Sequence, residues 1–258
     1  MVGQKKILAM IDKWIDSGCP QFICISGMRG GGKRMLAQYI AKRLGKEFSE
    51  VGIGVDDVRG VIDSANKYGG FYAFADADNM SVNAKNALLK ITEEPPKDAH
   101  FVITVQDEGS LLDTIKSRAQ VIRLEPYTTD ELLEYRKSVW AEFATTPREI
   151  DLLEEYGKDF IDYVNLVIDN IRDVEPANAF KSAGKLALKD EPDKYDLAIF
   201  FRTLVRLCMQ RVYPDGKDNQ LYLTIALRTV PYYTKTFHLG TNKQQLYDNW
   251  VFDVRAIE

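Results

Sequence analysis

The chain has 258 residues, and a domain commonly takes roughly 100–200 of them, so the length predicts about two domains, or three small ones. Hydrophobic residues make up 45% and charged residues 28%, an ordinary globular balance that excludes disorder as the main state. Residues 1–126 hold 17 basic and 16 acidic side chains and the remainder 17 and 22, so neither half is a polycation, and any nucleic-acid contact must be a local patch.

The cysteines and the apolar runs bear on the compartment. Cys19, Cys24 and Cys208 are spaced neither as a zinc site nor as a disulfide framework, which favours free thiols in a reducing cytosol. No apolar run approaches the roughly 18 residues of a membrane span. The N-terminus lacks the apolar core and cleavage site of a signal peptide. We therefore expect a soluble, cytoplasmic protein without membrane contacts.

The first 126 residues alternate runs of β-forming residues with helical patterns. Apolar residues at helical spacing predict an amphipathic helix at the start. Strands are predicted at Phe22–Ser26 and at residues 51–55, 71–75, 101–105 and 120–124, and helical patterns at residues 33–44, around 58–65 and after Ser81. Because strands that alternate with helices pair in parallel, we expect a three-layer α/β sandwich with a parallel five-stranded sheet. Its ligand crevice is expected at the carboxyl ends of the strands.

The pattern changes after Pro126, where helical periodicity replaces the alternation. Helices are predicted at residues 129–143, 147–156 and 160–171, a linker at 191–193, a turn at 214–216, and further helices across 194–258. This predicts three domains: an α/β base domain at 1–126, a small helical domain at 127–190 and a C-terminal helical domain at 191–258.

A glycine-rich segment between the first predicted strand and the next helix matches the pattern G-x-x-x-x-G-K. Glycines let backbone amides turn toward phosphate oxygens, and a helix N-terminus adds a favourable partial charge. The residues expected to bind a cofactor here are Gly27, Gly30, Gly31, Gly32, Lys33, Arg34 and Asp76. Lys33 would bridge the β- and γ-phosphates of a nucleotide. The alternative is a chance glycine-rich turn.

Two residues that a hydrolytic site of this type requires are missing. Arg34 stands where a Ser or Thr hydroxyl would coordinate Mg²⁺. At the end of the third predicted strand, Ala75 replaces the expected metal-linked Asp, and Asp76 replaces a water-activating Glu. We therefore expect no metal site, and the pattern disfavours Mg²⁺ and ATP turnover in cis. Two states stay open: ATP bound without turnover, or an empty site in which Arg34 occupies the place of the cation.

Two further sets of polar side chains have alternative interpretations. Asp76 and Asp78 could hold a metal as a pair, but beside Lys33 we favour a structural role in which Asp76 offsets positive charge. Asn86 and Lys90 lie one helical turn apart and share a face. Lys90 could contact DNA phosphate, although a solvated helix charge is the favoured interpretation.

Four stretches resemble the DNA polymerase III clamp-loader subunits of the AAA+ class, most closely the delta-prime type. They are the phosphate loop, Val-Asp-Asp-Val-Arg at 55–59, Asp-Ala-Asp-Asn-Met through Asn-Ala-Leu-Leu-Lys to Glu-Glu-Pro-Pro at 76–96, and Leu-Leu-Asp-Thr-Ile-Lys-Ser-Arg-Ala-Gln at 111–120. The sequence at 242–246 is weakly similar to the last collar helix of this family. The chain departs from the family pattern because its cysteine-rich zinc module is absent, so no zinc is expected. Ala119 replaces a family cysteine, Gln106 stands at a sensor position, and the C-terminal region is short.

The resemblance implies an AAA+ base domain, a helical lid and a short collar-like domain. It implies as partners other clamp-loader subunits, a sliding clamp and, through the assembled complex, primed DNA. In this family the Ser117–Arg118 pair lies at a subunit interface, and Arg118 is identified as an arginine finger supplied in trans to a neighbour's ATP site. The alternative for Arg118 is a surface arginine in a salt bridge. Two other functions stay open: a self-assembling AAA+ ATPase with a modified metal site, and a structural adaptor without influence on ATP use.

Overall fold

The structure is a computed structural model that describes residues 3–170, 195–213, 216–236 and 242–256. The chain forms two compact units, Met1–Lys137 with Thr145–Arg148 and Ser138–Ala144 with Glu149–Glu258. The division into three domains at residues 126 and 190 stays a prediction. Within the described residues, no helix combines the length and apolar character needed to cross a membrane.

The first unit is built on a five-stranded, all-parallel sheet. Its strands are β1 Phe22–Ser26, β2 Phe48–Val51, β3 Gly70–Phe74, β4 Ala99–Val105 and β5 Gln120–Arg123, in the spatial order β2-β3-β4-β1-β5. Its helices are α1 Lys5–Ser17, α2 Lys33–Arg43, α3 Val55–Tyr68, α4 Val82–Glu93, the short α5 Asp113–Lys116 and α6 Thr129–Tyr135. The predicted parallel α/β architecture is confirmed.

The sheet is buried on both faces, as the continuous apolar run of β1 predicts. Ile23 and Ile25 face a core shared with α1 and α2, whereas Cys24 faces a second core shared with α3 and α4. All three side chains are fully buried. Burying one such aliphatic side chain stabilises the fold by about 1.5–3 kcal/mol, so these two cores fix the carboxyl edge of the sheet.

Several predicted elements differ in their bounds from the observed ones. The strand expected at 51–55 is wrong: β2 ends at Val51, because Gly54 caps α3 and donates its N–H to the Asp57 carboxylate at 3.0 Å. The third strand ends at Phe74, one residue before its predicted end. The helix expected at 129–143 is interrupted after Tyr135, and a separate 3₁₀ turn at Val139–Glu142 begins at Ser138, which accepts from the N–H of Trp140 at 3.3 Å.

The second unit is helical. Its helices are α7 Pro147–Asn170, whose first two residues belong to the first unit, α8 Leu197–Gln210, α9 Asn219–Lys235 and α10 Lys243–Arg255. Gly157, at φ 65° and ψ -163°, divides α7 where the sequence predicts two helices. Trp250 is fully buried and donates its indole N–H to Thr229 Oγ1 at 2.8 Å. The predicted linker at 191–193 and most of the predicted turn at 214–216 lie outside the described residues.

Candidate functional site

The glycine-rich segment forms a loop between the carboxyl end of β1 and the first residue of α2. Gly30 and Gly32 have φ values of +77° and +92°, a left-handed backbone that glycine adopts without steric cost. Gly27 donates its N–H to the carbonyl of Val105 at 3.2 Å, which ties the start of the loop to β4. The structure thus places Gly27, Gly30, Gly31, Gly32 and Lys33 in the expected strand–loop–helix arrangement.

Lys33 is held inside this loop rather than extended into solvent. Only 8% of the residue is exposed, and its Nζ donates to the carbonyls of Gly27 at 2.7 Å and Met28 at 3.0 Å. Burial lowers the pKa of Lys33, and the charges of Asp76 and Asp78 act in the opposite direction. The ammonium is therefore bound to carbonyls of the loop itself, and its role in phosphate binding stays a prediction.

Residues beyond β5 contact the outer part of the loop. Tyr127 donates its hydroxyl to the carbonyl of Gly31 at 3.1 Å, and burial raises the pKa of that phenol. A methyl group placed on Gly30 would lie 3.0 Å from both Thr146 Oγ1 and Arg148 Cβ. The motif does not contain these residues, and sequence analysis missed them. The sequence offered one signal for the Tyr127 contact. This residue follows soon after β5, at the edge of the sheet where the loop lies.

Arg34 faces away from the position that a metal would take beside Lys33. Its guanidinium forms an ion pair with Glu50 of β2 at 2.5 Å, and 65% of its side chain is exposed. The structure therefore does not show the arrangement in which Arg34 fills the place of the cation. Its role in cofactor binding stays a prediction.

The two aspartates after β3 have different environments. Asp76, at φ 50°, is exposed, and its backbone N–H donates to Thr104 Oγ1 at 3.1 Å. Asp78 accepts from the N–H of Gln106 at 2.8 Å and from the Ser110 hydroxyl at 2.9 Å. Both carboxylate oxygens of Asp78 are thus engaged in joining the β3 and β4 ends. Among the described residues, no group of three His, Cys, Asp or Glu side chains is arranged to hold a metal.

Arg118 follows α5, on a segment separate from the phosphate loop. Its guanidinium donates to the carbonyl of Thr114 at 3.0 Å and lies 3.7 Å from a carboxylate oxygen of Glu93. The Arg118 side chain is 40% exposed, and that of Glu93 is 56% exposed. Ser117, directly before it, donates its hydroxyl to the same Thr114 carbonyl at 3.1 Å. The Arg118 guanidinium is therefore held by its own turn and by a long contact to Glu93, and it is accessible from outside.

A groove of about 760 Å³ runs between α3 and α4. Its polar lining includes Arg59 and Asp63 of α3 and Asn83, Asn86 and Lys90 of α4. Arg59 makes a 3.7 Å contact with Asp56, and both side chains are largely exposed, so the pair is weak. The polar lining of the groove thus consists of two cations, two amides and one carboxylate.

The fold is the α/β fold of AAA+ proteins. A DNA polymerase III gamma subunit-related protein from Thermotoga maritima is similar over 96% of this chain and 98% of its own, with a TM-score of 0.57 at 17% identity. The RuvB Holliday junction branch migration motor of T. maritima is similar over 96% of this chain and 85% of its own, with a TM-score of 0.53 at 16% identity.

Sequence comparisons match parts of the chain to replication proteins. The family model described as DNA polymerase III, delta subunit, matches residues 47–128. The DNA polymerase III subunit delta' of Bacillus subtilis is 46% identical over 55 residues, 21% of this chain and 17% of that subunit. A replication factor C small subunit of Methanosphaera stadtmanae is 26% identical over 157 residues, 55% of this chain and 49% of its own. The chain is thus similar to clamp-loader subunits of DNA replication, and it spans half or less of these two relatives.

Proposed function

We propose that the chain is a delta-prime-like clamp-loader subunit that does not hydrolyse ATP itself and supplies Arg118 to the ATP site of a neighbouring subunit. The accessible Arg118 carries this proposal. A trans arginine must be charged and able to reach another chain, and the exposed Arg118 guanidinium is held by a bond to the Thr114 carbonyl and a long contact to Glu93. A guanidinium offers a planar fork of donors that suits phosphate oxygens.

The loop supports the part of the proposal that excludes turnover in cis. Arg34 replaces the hydroxyl that would bind the metal and is engaged with Glu50. Asp78 uses both of its carboxylate oxygens within the fold. We further propose that the chain acts in the cytoplasm in a hetero-oligomer, whose partners are other clamp-loader subunits, a sliding clamp and, through the assembled complex, primed DNA.

The test begins with co-purification of the tagged chain and identification of its partners by mass spectrometry, followed by reconstitution of that assembly. A trans arginine accelerates phosphoryl transfer by about 10³–10⁵ in other P-loop systems. Arg118→Ala is therefore expected to abolish hydrolysis at the neighbour's ATP site and to lower ATP hydrolysis by the assembly. Arg118→Lys, which loses the planar fork, is expected to restore little activity. Arg43→Ala, which removes an exposed arginine paired with Asp12, is the matched control and should leave turnover unchanged.

Other outcomes favour the competing functions. Wild-type turnover in the Arg118→Ala assembly would contradict the trans arginine and favour a structural adaptor. Mg²⁺-dependent ATP hydrolysis by the isolated chain, together with recovery of the chain alone, would favour a self-assembling ATPase.

We also propose that the groove between α3 and α4 contacts the phosphates of primed DNA in the assembly. Its two cations, Arg59 and Lys90, carry this proposal, because phosphate contacts are made by accessible Lys and Arg side chains. Removing one phosphate contact reduces the salt slope of binding by about one.

Lys90→Gln and Arg59→Gln are therefore each expected to weaken primed-DNA binding across sequences and to flatten its dependence on salt. The measurement is a salt titration of the affinity of the assembly for a labelled primed template. Lys13→Gln, an exposed change on α1, serves as the control. An unchanged slope in both groove variants would contradict the assignment.

A further inference from the structure

Two arginines lie within or against the phosphate loop, Arg29 and Arg148. Arg29 lies within the loop and is exposed, and it is close enough to Lys33 for its charge to lower the pKa of that lysine. Arg148 begins the first turn of α7, and its side-chain carbons pack against Gly30. Within the part of the chain that the structure describes, neither guanidinium forms a hydrogen bond or an ion pair.

Other arginines in the same unit have acidic partners. Arg34 pairs with Glu50, and Arg123 forms a two-pronged pair with Glu108 at 2.8 and 3.0 Å. Free guanidiniums beside a glycine-rich loop place a high local positive charge where backbone amides and Lys33 already favour anions. The opposing charges there are Asp76 and Asp78, and Asp78 is committed to the fold.

A polyphosphate that enters such a loop needs its charge neutralised. In P-loop proteins a divalent metal does much of this, held by a Ser or Thr hydroxyl that this chain replaces with Arg34. Arginine binds phosphate through two parallel, charge-assisted hydrogen bonds and needs no metal to do so. Arg29, within the loop, and Arg148, packed against Gly30, are the arginines placed to supply the missing positive charge.

We propose that Arg29 and Arg148 bind the terminal phosphates of a nucleoside di- or triphosphate in this loop, and that this binding does not require a divalent cation. The proposal goes beyond the trans role of Arg118, because it concerns the chain's own loop. It assigns nucleotide occupancy without turnover to this subunit. Thr146 lies against Gly30, and the Tyr127 hydroxyl donates to the Gly31 carbonyl, so both residues contact the loop.

The experiment measures the affinity of the isolated chain for ATP, ADP and AMP by isothermal titration calorimetry, in EDTA and in Mg²⁺. We expect ATP to bind in EDTA at least as tightly as in Mg²⁺. Loss of one charge-assisted contact should weaken ATP binding about tenfold in Arg29→Gln and in Arg148→Gln. AMP, which lacks the terminal phosphates, should show no such difference between wild type and variants. Inorganic tripolyphosphate should compete with ATP, because the recognised groups are phosphates.

Controls separate loss of charge from loss of structure. Arg148→Lys keeps the charge and should recover part of the affinity, and Lys42→Gln at the far end of α2 should change nothing. Thermal unfolding of each variant checks that the fold is intact. Equal ATP affinities for wild type and both Arg→Gln variants, binding only in Mg²⁺, or no ATP binding by the wild type would overturn the proposal. None of these outcomes bears on Arg118, which is tested by turnover of the assembly.

Discussion

Gly30 shows how a single residue connects the loop to a distant part of the chain. Its φ of +77° is costly for any residue with a Cβ, and that Cβ would lie 3.0 Å from Thr146 Oγ1 and Arg148 Cβ. We expect Gly30→Ala to lower the free energy of unfolding by about 1–3 kcal/mol, through backbone strain and displacement of these neighbours. A urea titration followed by circular dichroism measures the change.

Gly60 provides the matched control for this substitution. It lies inside α3 at an ordinary helical φ, and a Cβ there would meet nothing within 4 Å. Gly60→Ala should therefore raise stability by roughly 0.5–1 kcal/mol, because alanine loses less backbone entropy in a helix. If both variants unfold at the same urea concentration, neither the positive φ of Gly30 nor its contacts with Thr146 and Arg148 limit that position.

Other single residues differ in how far the sequence could predict their positions. The loop from Gly27 to Lys33 was predictable, because its residues are contiguous and their spacing reflects one local geometry. The contacts of Tyr127, Thr146 and Arg148 were not, because they join positions about 100 residues apart along the chain. The pairing of Arg34 with Glu50 likewise depends on β2 lying beside the start of α2, which no local pattern specifies.

At the scale of elements, prediction succeeded where the apolar pattern was strong. β1 was predicted at its observed bounds because both of its faces are buried and its residues are uniformly β-forming. Ser81 was predicted to cap α4, and its hydroxyl accepts from the N–H of Ala84 at 3.2 Å. These signals are local, and the buried core reinforces them.

Prediction failed where an element is short and half-exposed. β2 has four residues at the edge of the sheet, and none of them is fully buried, so its apolar signal is weak. The apolar residues Ile53 and Val55 extended the predicted strand beyond Val51. The structure instead begins a helix there, with Gly54 as its cap and Asp57 in its first turn. The break after α6 was missed for a similar reason, because the residues that continue the pattern form a 3₁₀ turn at Val139–Glu142.

At the scale of the whole molecule, each of the two units has a deeply buried free thiol. Cys24 lies on β1 in the first unit and Cys208 on α8 in the second, and both are fully buried. Burial raises the pKa of each thiol to about 12, with the carboxylates of Glu108 and Asp78 adding to the effect at Cys24. The two cysteines therefore report separately on the folding of each unit.

These thiols predict a loss of stability in alkali. In the unfolded chain a thiol loses its proton near pH 9, whereas in the folded protein Cys24 and Cys208 keep theirs until about pH 12. Stabilisation from the protonated thiols is thus complete below pH 9 and falls as the pH rises toward 12, by up to about 1.4 kcal/mol per pH unit for each thiol. Urea titrations at pH 8, 9 and 10 measure this slope.

The contribution of each thiol is isolated by comparison with Cys24→Ala and Cys208→Ala. Each variant starts less stable at pH 8, because it leaves a small cavity, but its stability should fall less steeply between pH 9 and 10 than that of the wild type. Pulse labelling with iodoacetamide during the same titrations shows which cysteine becomes exposed first, and hence which unit opens first. A pH slope identical to the wild type in both variants would mean that neither thiol ionises on unfolding, and that other groups cause the alkaline loss.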